Sequence, residues 1–479
     1  MVTPLIANRI AGVSAPAIAH ETFENINPAT EQSIGEVARS RAGDVDAAVA
    51  AARSAQPGWA ATSPVERGAI LHAVANLIEQ RAEKIASVAA RESGKIHAHA
   101  LGEVGAAVLQ ARYWAGEGQR LAGQTLASAD PSRRLATVRR PVGVAGLILA
   151  SNTPIANVAW KMFPALICGN GIVLKASEDS PETADILVKV AEEAGLPPGV
   201  ANVIQGYGSE AGAPLVDHKD VAVISFTGSS STGARIAEAA GRRMARVSLE
   251  CGGKNPMLIF DDADLDRAVF WAASSAFSNA GQRCSSASRL IVLSEIYDEF
   301  KERLVRAADA LRLGVGSDDD VGPVIAKVAL DRMVAACVEV ESQGGSTLTG
   351  GVRARREGFY MTPTVVEGLP ADASMSRNEL FGPITQLFRA SSEAEALDLA
   401  NNSPYGLTAA IHTKDVDRAL RLADRVEAGV VSINAGTHGA EPHMPFGGVK
   451  NSGNGTREPG AEAVDIYTDL KNVLFTFHE

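Results

Sequence analysis

Cysteine is scarce in this chain: Cys168, Cys251, Cys284 and Cys337 are the only four in 479 residues. No two of them have metal-site spacing, and so few thiols in so long a chain make no disulfide framework, so a reducing, cytoplasmic setting is expected. Positive charge is not in excess either. The formal net charge of −11 argues against a nucleic-acid-binding surface. No stretch approaches the run of about 18 apolar residues that a membrane span needs. The first twenty residues carry one Arg and scattered apolar residues, without the charged start and continuous apolar run of a secretory signal. The nine His form no His-Glu-x-x-His pattern, so no catalytic metal is expected. What remains is an ordinary globular composition, 46% apolar and 21% charged, long enough for two or three domains.

The hydrophobic pattern changes along the chain. Asp46 to Ala55, Val65 to Arg91 and Ala98 to Leu121 place apolar residues at helical spacing, punctuated by Pro57, Pro64 and Gly94. From Val142 onward, short apolar runs alternate with helical segments. Val142–Ala150, Ile172–Lys175, Ala201–Gln205 and Val221–Phe226 read as buried strands, Ile155–Cys168 and Pro181–Ala194 as helices, and a further helix opens near Gly208. This alternation predicts a doubly wound α/β layer with a parallel sheet. A second such stretch follows Gly252, with strands at Pro256–Phe260, Arg289–Leu293, Pro383–Phe388, Leu407–His412 and Gly429–Ile433. Helices are expected between them at Leu265–Asn279, Ile296–Leu311, Lys327–Ser342, Ser392–Asn401 and Val416–Val426. Two segments fit neither layer: Gly123–Pro141 and the β-rich tail Tyr467–Phe477. Exposed edges of this kind need partners, either in a second copy of the chain or within the same one.

Two residues suit covalent carbonyl chemistry. Cys284 lies in Asn279-Ala280-Gly281-Gln282-Arg283-Cys284-Ser285-Ser286, and Glu250 lies 34 residues earlier in Leu249-Glu250-Cys251-Gly252-Gly253-Lys254. A thiolate can attack an aldehyde to give a thiohemiacetal, and a carboxylate can activate water against the thioester formed after oxidation. A lone Cys is as well explained by core packing. Three turns after strands suggest a dinucleotide. Gly206-Tyr207-Gly208-Ser209-Glu210-Ala211-Gly212 gives glycines between a strand and a helix. Phe226-Thr227-Gly228-Ser229-Ser230-Ser231-Thr232 places hydroxyls and free N–H groups at a helix N-terminus, where a pyrophosphate is favoured. Lys175-Ala176-Ser177-Glu178 puts a carboxylate at a strand end, where it can accept from ribose hydroxyls.

Seven ordered motifs join these elements: Ala150-Ser151-Asn152-Thr153-Pro154, Lys175-Ala176-Ser177-Glu178, Phe226-Thr227-Gly228-Ser229, Leu249 to Pro256, Gly281-Gln282-Arg283-Cys284, Glu379-Leu380-Phe381-Gly382-Pro383 and Pro445 to Lys450. With them the chain resembles the NAD(P)-dependent aldehyde dehydrogenase superfamily, of the hydrolytic type, over essentially its full length. The resemblance implies an aldehyde dehydrogenase-like α/β fold of two doubly wound domains and a small β oligomerisation arm. The dinucleotide-binding domain would take residues 1–122 and 142–251, the catalytic domain 252–450, and the arm with its tail 123–141 and 451–479. Cys284 is then the nucleophile, Glu250 the base for the hydrolytic water, Asn152 an oxyanion donor, and Lys161 part of a proton path. Ile148, Lys175, Ser177, Glu178, Gly208, Gly212, Phe226, Thr227, Gly228, Ser229, Thr232, Glu379 and Phe381 would hold the cofactor. Glu178 would repel a 2′-phosphate, so NAD is expected over NADP. Arg283 is a candidate cation for lowering the Cys284 pKa. A homodimer or homotetramer is implied as well.

The pattern departs in three places. Cys251 follows the base where Leu is more usual, either as inert packing or as a disulfide partner for Cys284. Ala176 replaces a common Pro. Gly453 to Glu458 holds one residue more than the usual motif, and the family's supporting glutamate falls on Glu458. By motif alignment the substrate wall includes Thr153, Asn157, Trp160, Arg283, Ser285 and the loop Ala435–Met444 with His438 and His443. Its polarity points to a small polar aldehyde or a semialdehyde. The alternatives are an aromatic aldehyde stacked on Trp160, a coenzyme A-acylating relative, which lacks a Glu at position 250, or a non-catalytic relative.

Overall fold

The computed structural model describes residues 5–477; the outer ends of the expected division, 1–4 and 478–479, lie outside the described residues. Two seven-stranded sheets form its framework. The first runs in the order Arg246–Glu250, Val221–Thr227, Val144–Ile148, Gly171–Lys175, Ala201–Ile204, Asn8–Ile10, Val13–Ala15. Its first five strands are parallel, and the two N-terminal ones are antiparallel additions. Val144–Ile148, Gly171–Lys175 and Ala201–Ile204 are buried at every position, because helices cover both faces. Strand order reverses direction between Val144–Ile148 and Val221–Thr227, the kind of switch point where open α/β sheets bind ligands.

The second sheet runs Ser346–Thr349, Thr364–Glu367, Ile384–Ala390, Ala287–Leu293, Asn255–Ile259, Thr408–His412, Val430–Ile433, parallel apart from the first of these. The α/β fold read from the sequence is therefore the observed one. The expected strands and helices of both layers appear within a few residues of their anticipated ends, with corrections at particular points. Val65–Arg91 is two helices, Pro64–Gln80 and Ala82–Ser93, because Arg81 leaves the helical region at φ −109° and ψ 16°. Pro64 does begin a helix, behind a Ser63–Glu66 capping box, and Gly94 ends one with φ +70°. Pro57 punctuates nothing; it lies inside the helix Ala42–Ala61. The turn at Gly208 opens a five-residue π-helix, Gly208–Gly212, before the short helix Ala213–Asp217.

Several strands went unread in the sequence: Leu5–Ile6, Asn8–Ile10, Val13–Ala15, Thr22–Ile26, Ser33–Ala38, Ser346–Thr349 and Thr364–Glu367. Most are short pieces with little apolar alternation, held by their neighbours rather than by their own pattern. The two outlying segments find each other. Thr468–Thr476 pairs antiparallel with Arg133–Pro141 along its whole length, and Thr125–Leu126 adds a third strand. Leu470, Val473, Leu474, Phe475 and Phe477 remain exposed on this small sheet.

Candidate active site

Parallel pairing brings the carboxyl ends of five strands to one edge. Glu250 pairs with Thr227, Phe226 with Ile148, Ile148 with Lys175, and Lys175 with Ile204. The turns after these strands are the Gly-rich and hydroxyl-rich segments singled out in the sequence. Ser229 caps the helix Ser230–Gly241, its Oγ accepting the Thr232 N–H at 3.3 Å. Gly228 N–H donates to the Glu250 carbonyl at 3.1 Å, tying this turn to the neighbouring strand end. A Cβ at Gly228 would come within 2.4 Å of the Phe226 ring. At Gly208, which is exposed, a Cβ would meet nothing within 4 Å, so the surface there is open; Gly212, at the other end of the turn, is buried. Lys175 Nζ is buried and donates to the Glu178 carboxylate at 2.7 Å; Ser177 beside them is buried too.

The loop carrying Cys284 is held by its backbone. Asn279, Ala280 and Gly281 all take left-handed φ values of 53°, 53° and 65°. Two non-glycine residues in that region store strain, about 1–3 kcal/mol each, which the surroundings must offset. A Cβ at Gly281 would lie 2.1 Å from the Gly382 carbonyl, so the two loops touch main chain to main chain. Asn255 Nδ2 donates to the carbonyls of Cys284 and Ser286 at 2.8 and 2.9 Å. Thr437 Oγ1 donates to the Ser285 carbonyl at 2.5 Å. Asn152 Nδ2 donates to the Gln282 carbonyl at 2.9 Å, which sets that amide against the same loop.

Asn152 is held in turn by a pair that the sequence did not reveal. Lys95 Nζ donates to the Asn152 carbonyl at 3.0 Å and forms a buried ion pair with Glu103. Glu103 Oε1 also accepts the N–H groups of Ile155 and Ala156, at 2.7 and 2.9 Å, and so caps the helix Pro154–Ile167. One carboxylate, 49 residues before Asn152 in sequence, therefore fixes both the turn and the helix that follows it.

Electrostatics around the thiol run opposite to expectation. The half-buried Cys284 thiol is pushed up to about 12 by burial and then by the carboxylates of Glu379 and Glu250. Arg283 does not offset this. Its guanidinium turns to Ser278 Oγ at 2.9 Å, and burial lowers its own proton affinity. Glu250 is buried at its strand end, and neither carboxylate oxygen has a hydrogen-bond partner among the described residues. Burial first, then Glu458, raises its pKa well above the usual carboxylate range. Glu379 accepts the Gly253 N–H at 3.0 Å, and burial pushes it up to about 7. A Cβ at Gly252 would fall 2.1 Å from its Oε2, so only glycine leaves room for this carboxylate. Phe381 follows two residues later with φ +59°.

Behind Glu250 lies a buried network. Lys161 Nζ donates to Ser225 Oγ at 2.6 Å and to Glu458 at 2.8 Å; Ser225, Ser248 and Tyr467 hydroxyls also donate to Glu458. Lys161 and Glu458, 297 residues apart in sequence, are thus a fully buried ion pair within electrostatic reach of Glu250.

On the substrate side, Trp160 and the buried Phe446 form an aromatic pair with centroids 5.2 Å apart. Asn157 Nδ2 donates to Thr153 Oγ1 at 2.9 Å and to its carbonyl at 3.1 Å, which occupies the Asn157 donor and leaves the Asn157 Oδ1 and the Thr153 hydroxyl proton uncommitted. His438 Nε2 lies 3.3 Å from Ser274 Oγ and packs edge-on against Trp271. Cys251 faces away into packing: a Cβ at Gly233 would lie 2.8 Å from its Sγ, and it joins an apolar cluster with Phe226, Ile236 and Leu249. All four cysteines are free. Among the described residues no cluster of three or more His, Cys, Asp or Glu could hold a metal, and no helix is long and apolar enough to cross a membrane.

The family model described as "Aldehyde dehydrogenase family" matches residues 16–473. An alpha-ketoglutaric semialdehyde dehydrogenase of Bacillus subtilis is 39% identical over 455 residues, 94% of this chain and 93% of that protein. A cytosolic aldehyde dehydrogenase of Rattus norvegicus is 41% identical over 458 residues, 94% of this chain and 91% of that protein. The crystal structure of betaine aldehyde dehydrogenase from Staphylococcus aureus in complex with NAD+ superposes with a TM-score of 0.96 at 32% identity, covering 98% of this chain and 94% of that one.

Proposed function

The chain belongs to the aldehyde dehydrogenase family, and we propose that it oxidises a small polar aldehyde or semialdehyde to the carboxylic acid, with NAD as the acceptor and Cys284 as the nucleophile. The observation that carries this reading is Glu250: a buried carboxylate with both oxygens unpartnered, within electrostatic reach of a thiol held in a fixed loop. A carboxylate with no structural hydrogen bonds is costly unless its work is to take a proton.

The first sheet's edge fits a dinucleotide. It offers a glycine turn from Gly208 to Gly212, open at Gly208, a Ser-capped helix N-terminus after Gly228, and a Lys–Glu pair at the strand end. Ser229, Thr232 and Gly228 would hold the pyrophosphate, with Phe226, Thr227 and Ile148 as the floor; Lys175, Ser177 and Glu178 would hold the adenosine ribose. Glu379 and Phe381 would hold the nicotinamide end. When bound, NAD supplies the hydride acceptor that converts the thiohemiacetal to a thioester.

The protein's own groups account for the remaining steps. Since the thiol is held neutral, its proton must leave as sulfur attacks. Glu250 takes it while the S–C bond forms and the carbonyl π pair moves to oxygen. The second N–H of the Asn152 amide and the Cys284 N–H hold that oxygen. After oxidation Glu250 takes a proton from water attacking the thioester, the C–S bond breaks, and the acid leaves. Lys161 and Glu458 give the proton a buried route away from the base. A coenzyme A-acylating activity has no use for this arrangement. The Trp160–Phe446 pair supports an aromatic aldehyde as the second substrate reading. The exposed apolar face of Thr468–Thr476 supports assembly with further copies of the chain. A panel of aldehydes ranked by kcat/KM tests the substrate. Polar aldehydes should lead, and hexanal or longer alkanals outranking them all would overturn it.

A further inference from the structure

Arg283 stands one residue before Cys284 with four of its five guanidinium N–H groups unused. Its one hydrogen bond goes to Ser278 Oγ, and among the described residues no carboxylate lies within salt-bridge distance of it. Glu103, the acid nearest in electrostatic effect, is already committed to Lys95 and to the N–H groups of Ile155 and Ala156. A largely desolvated guanidinium without an anion is an expensive arrangement.

Two histidines share its surroundings. His438 is carried by a loop pinned beside the nucleophile, because Thr437 holds the Ser285 carbonyl and a Cβ at Gly436 would come within 2.8 Å of Trp271 and Ser275. Ser274 and Ser278, one helical turn apart, present His438 and Arg283 side by side, and Ser278 Oγ is itself locked to the Ser274 carbonyl. His99 comes from the helix His97–Glu117, and its Nδ1 is buried without a partner. Burial and then Arg283 and Lys95 hold the His99 pKa down, and burial and then Arg283 and His99 push His438 down to about 4, so the three side chains lie within electrostatic reach of one another.

We propose that Arg283, His99 and His438 form a distal-anion subsite, and that the preferred substrates are short aldehydes ending in a carboxylate. This rests on Cys284 being the nucleophile, since the subsite is defined by its place beside that sulfur. Arg283 pairs with the carboxylate, and the free nitrogens of the two histidines donate to its remaining lone pairs.

The test compares glutarate semialdehyde with pentanal, equal in carbon number and differing in the terminal charge. The wild-type protein with NAD should favour the semialdehyde in kcat/KM by at least about 30-fold. Arg283→Met should lose that ratio, Arg283→Lys should recover part of it, and His99→Gln should lower it about 5-fold through KM rather than kcat. Calorimetry with glutarate on the full-length protein reads the subsite without turnover; binding should weaken in the same order. Equal use of the two aldehydes, or glutarate binding that ignores both substitutions, would overturn the subsite. Glutarate bound by Arg283 and His99 with neither aldehyde turned over would keep the subsite and overturn the nucleophile instead.

Discussion

The two walls about Cys284, one of carboxylates and one of Arg283 with two histidines whose pKa values are held down, treat it differently. On one stand Glu250, at an end of the first sheet, with Glu458 behind it, and Glu379, from the segment before the second sheet's strand Ile384–Ala390. On the other stand Arg283, His99 and His438. The acidic wall acts on the sulfur, raising its proton affinity; on the other wall Arg283 and His438 spend their hydrogen bonds on neighbouring serines. A sulfur between such walls rests as a thiol, protected from adventitious oxidation and alkylation, which consume thiolates. It becomes reactive when its proton has somewhere to go.

Removing the sulfur breaks this comparison most completely. Cys284→Ala should abolish NADH formation while NAD binding, followed by quenching of protein fluorescence, persists; unchanged turnover would overturn the mechanism. Glu250→Gln should come next, with kcat lowered about 10²–10⁴-fold. The same change removes a negative charge beside the sulfur, so the midpoint pH for iodoacetamide alkylation of Cys284 should move down. A midpoint that stays or rises would mean the acidic wall does not act on the thiol. As the proposed base, Glu250 acts deprotonated, and its pKa is raised, so in the wild type kcat/KM should fall as pH drops through a value well above the ordinary carboxylate range. Asn152→Ala should cost about 2.7–4 kcal/mol in the barrier, seen as a matched fall in kcat and kcat/KM. The smallest effect belongs to Cys251→Ala, about 1 kcal/mol in thermal unfolding from lost packing. Peptide mapping after mild peroxide should find no Cys251–Cys284 link, since Cys251 packs toward Gly233.

The acidic wall was largely legible in the sequence and the basic one only in part. Lys175 ends Gly171–Lys175, whose apolar run was read, and Glu178 follows three residues on; Glu250 was found by its motif, since its strand Arg246–Glu250 has no apolar run and went unread. Glu458 was reachable by motif despite its extra neighbour, and its pairing with Lys161 followed only from the fold. Arg283 was visible as a residue, but not its direction, which Ser278 decides. His99 and the Lys95–Glu103 clamp left no signal, because their partners lie far along the chain and a helix pattern does not say what its polar face meets. Thr153 and Asn157 show a related point: polar residue types do not reveal that the Asn157 amide donates to Thr153 one turn away. The short N-terminal strands escaped because edge strands borrow their order from the strand beside them.

The contact between Gly281 and the Gly382 carbonyl has a consequence for how such a protein diversifies. The sulfur's position is set by main chain against main chain, with Asn255 gripping the carbonyls of Cys284 itself and of Ser286. Side chains at 283 and 285 are therefore free to be exchanged without moving the nucleophile. The molecule separates what must stay fixed for chemistry from what can drift for substrate choice, and new specificities should be reachable by changing residues that touch the sulfur's neighbours rather than the loop that holds it.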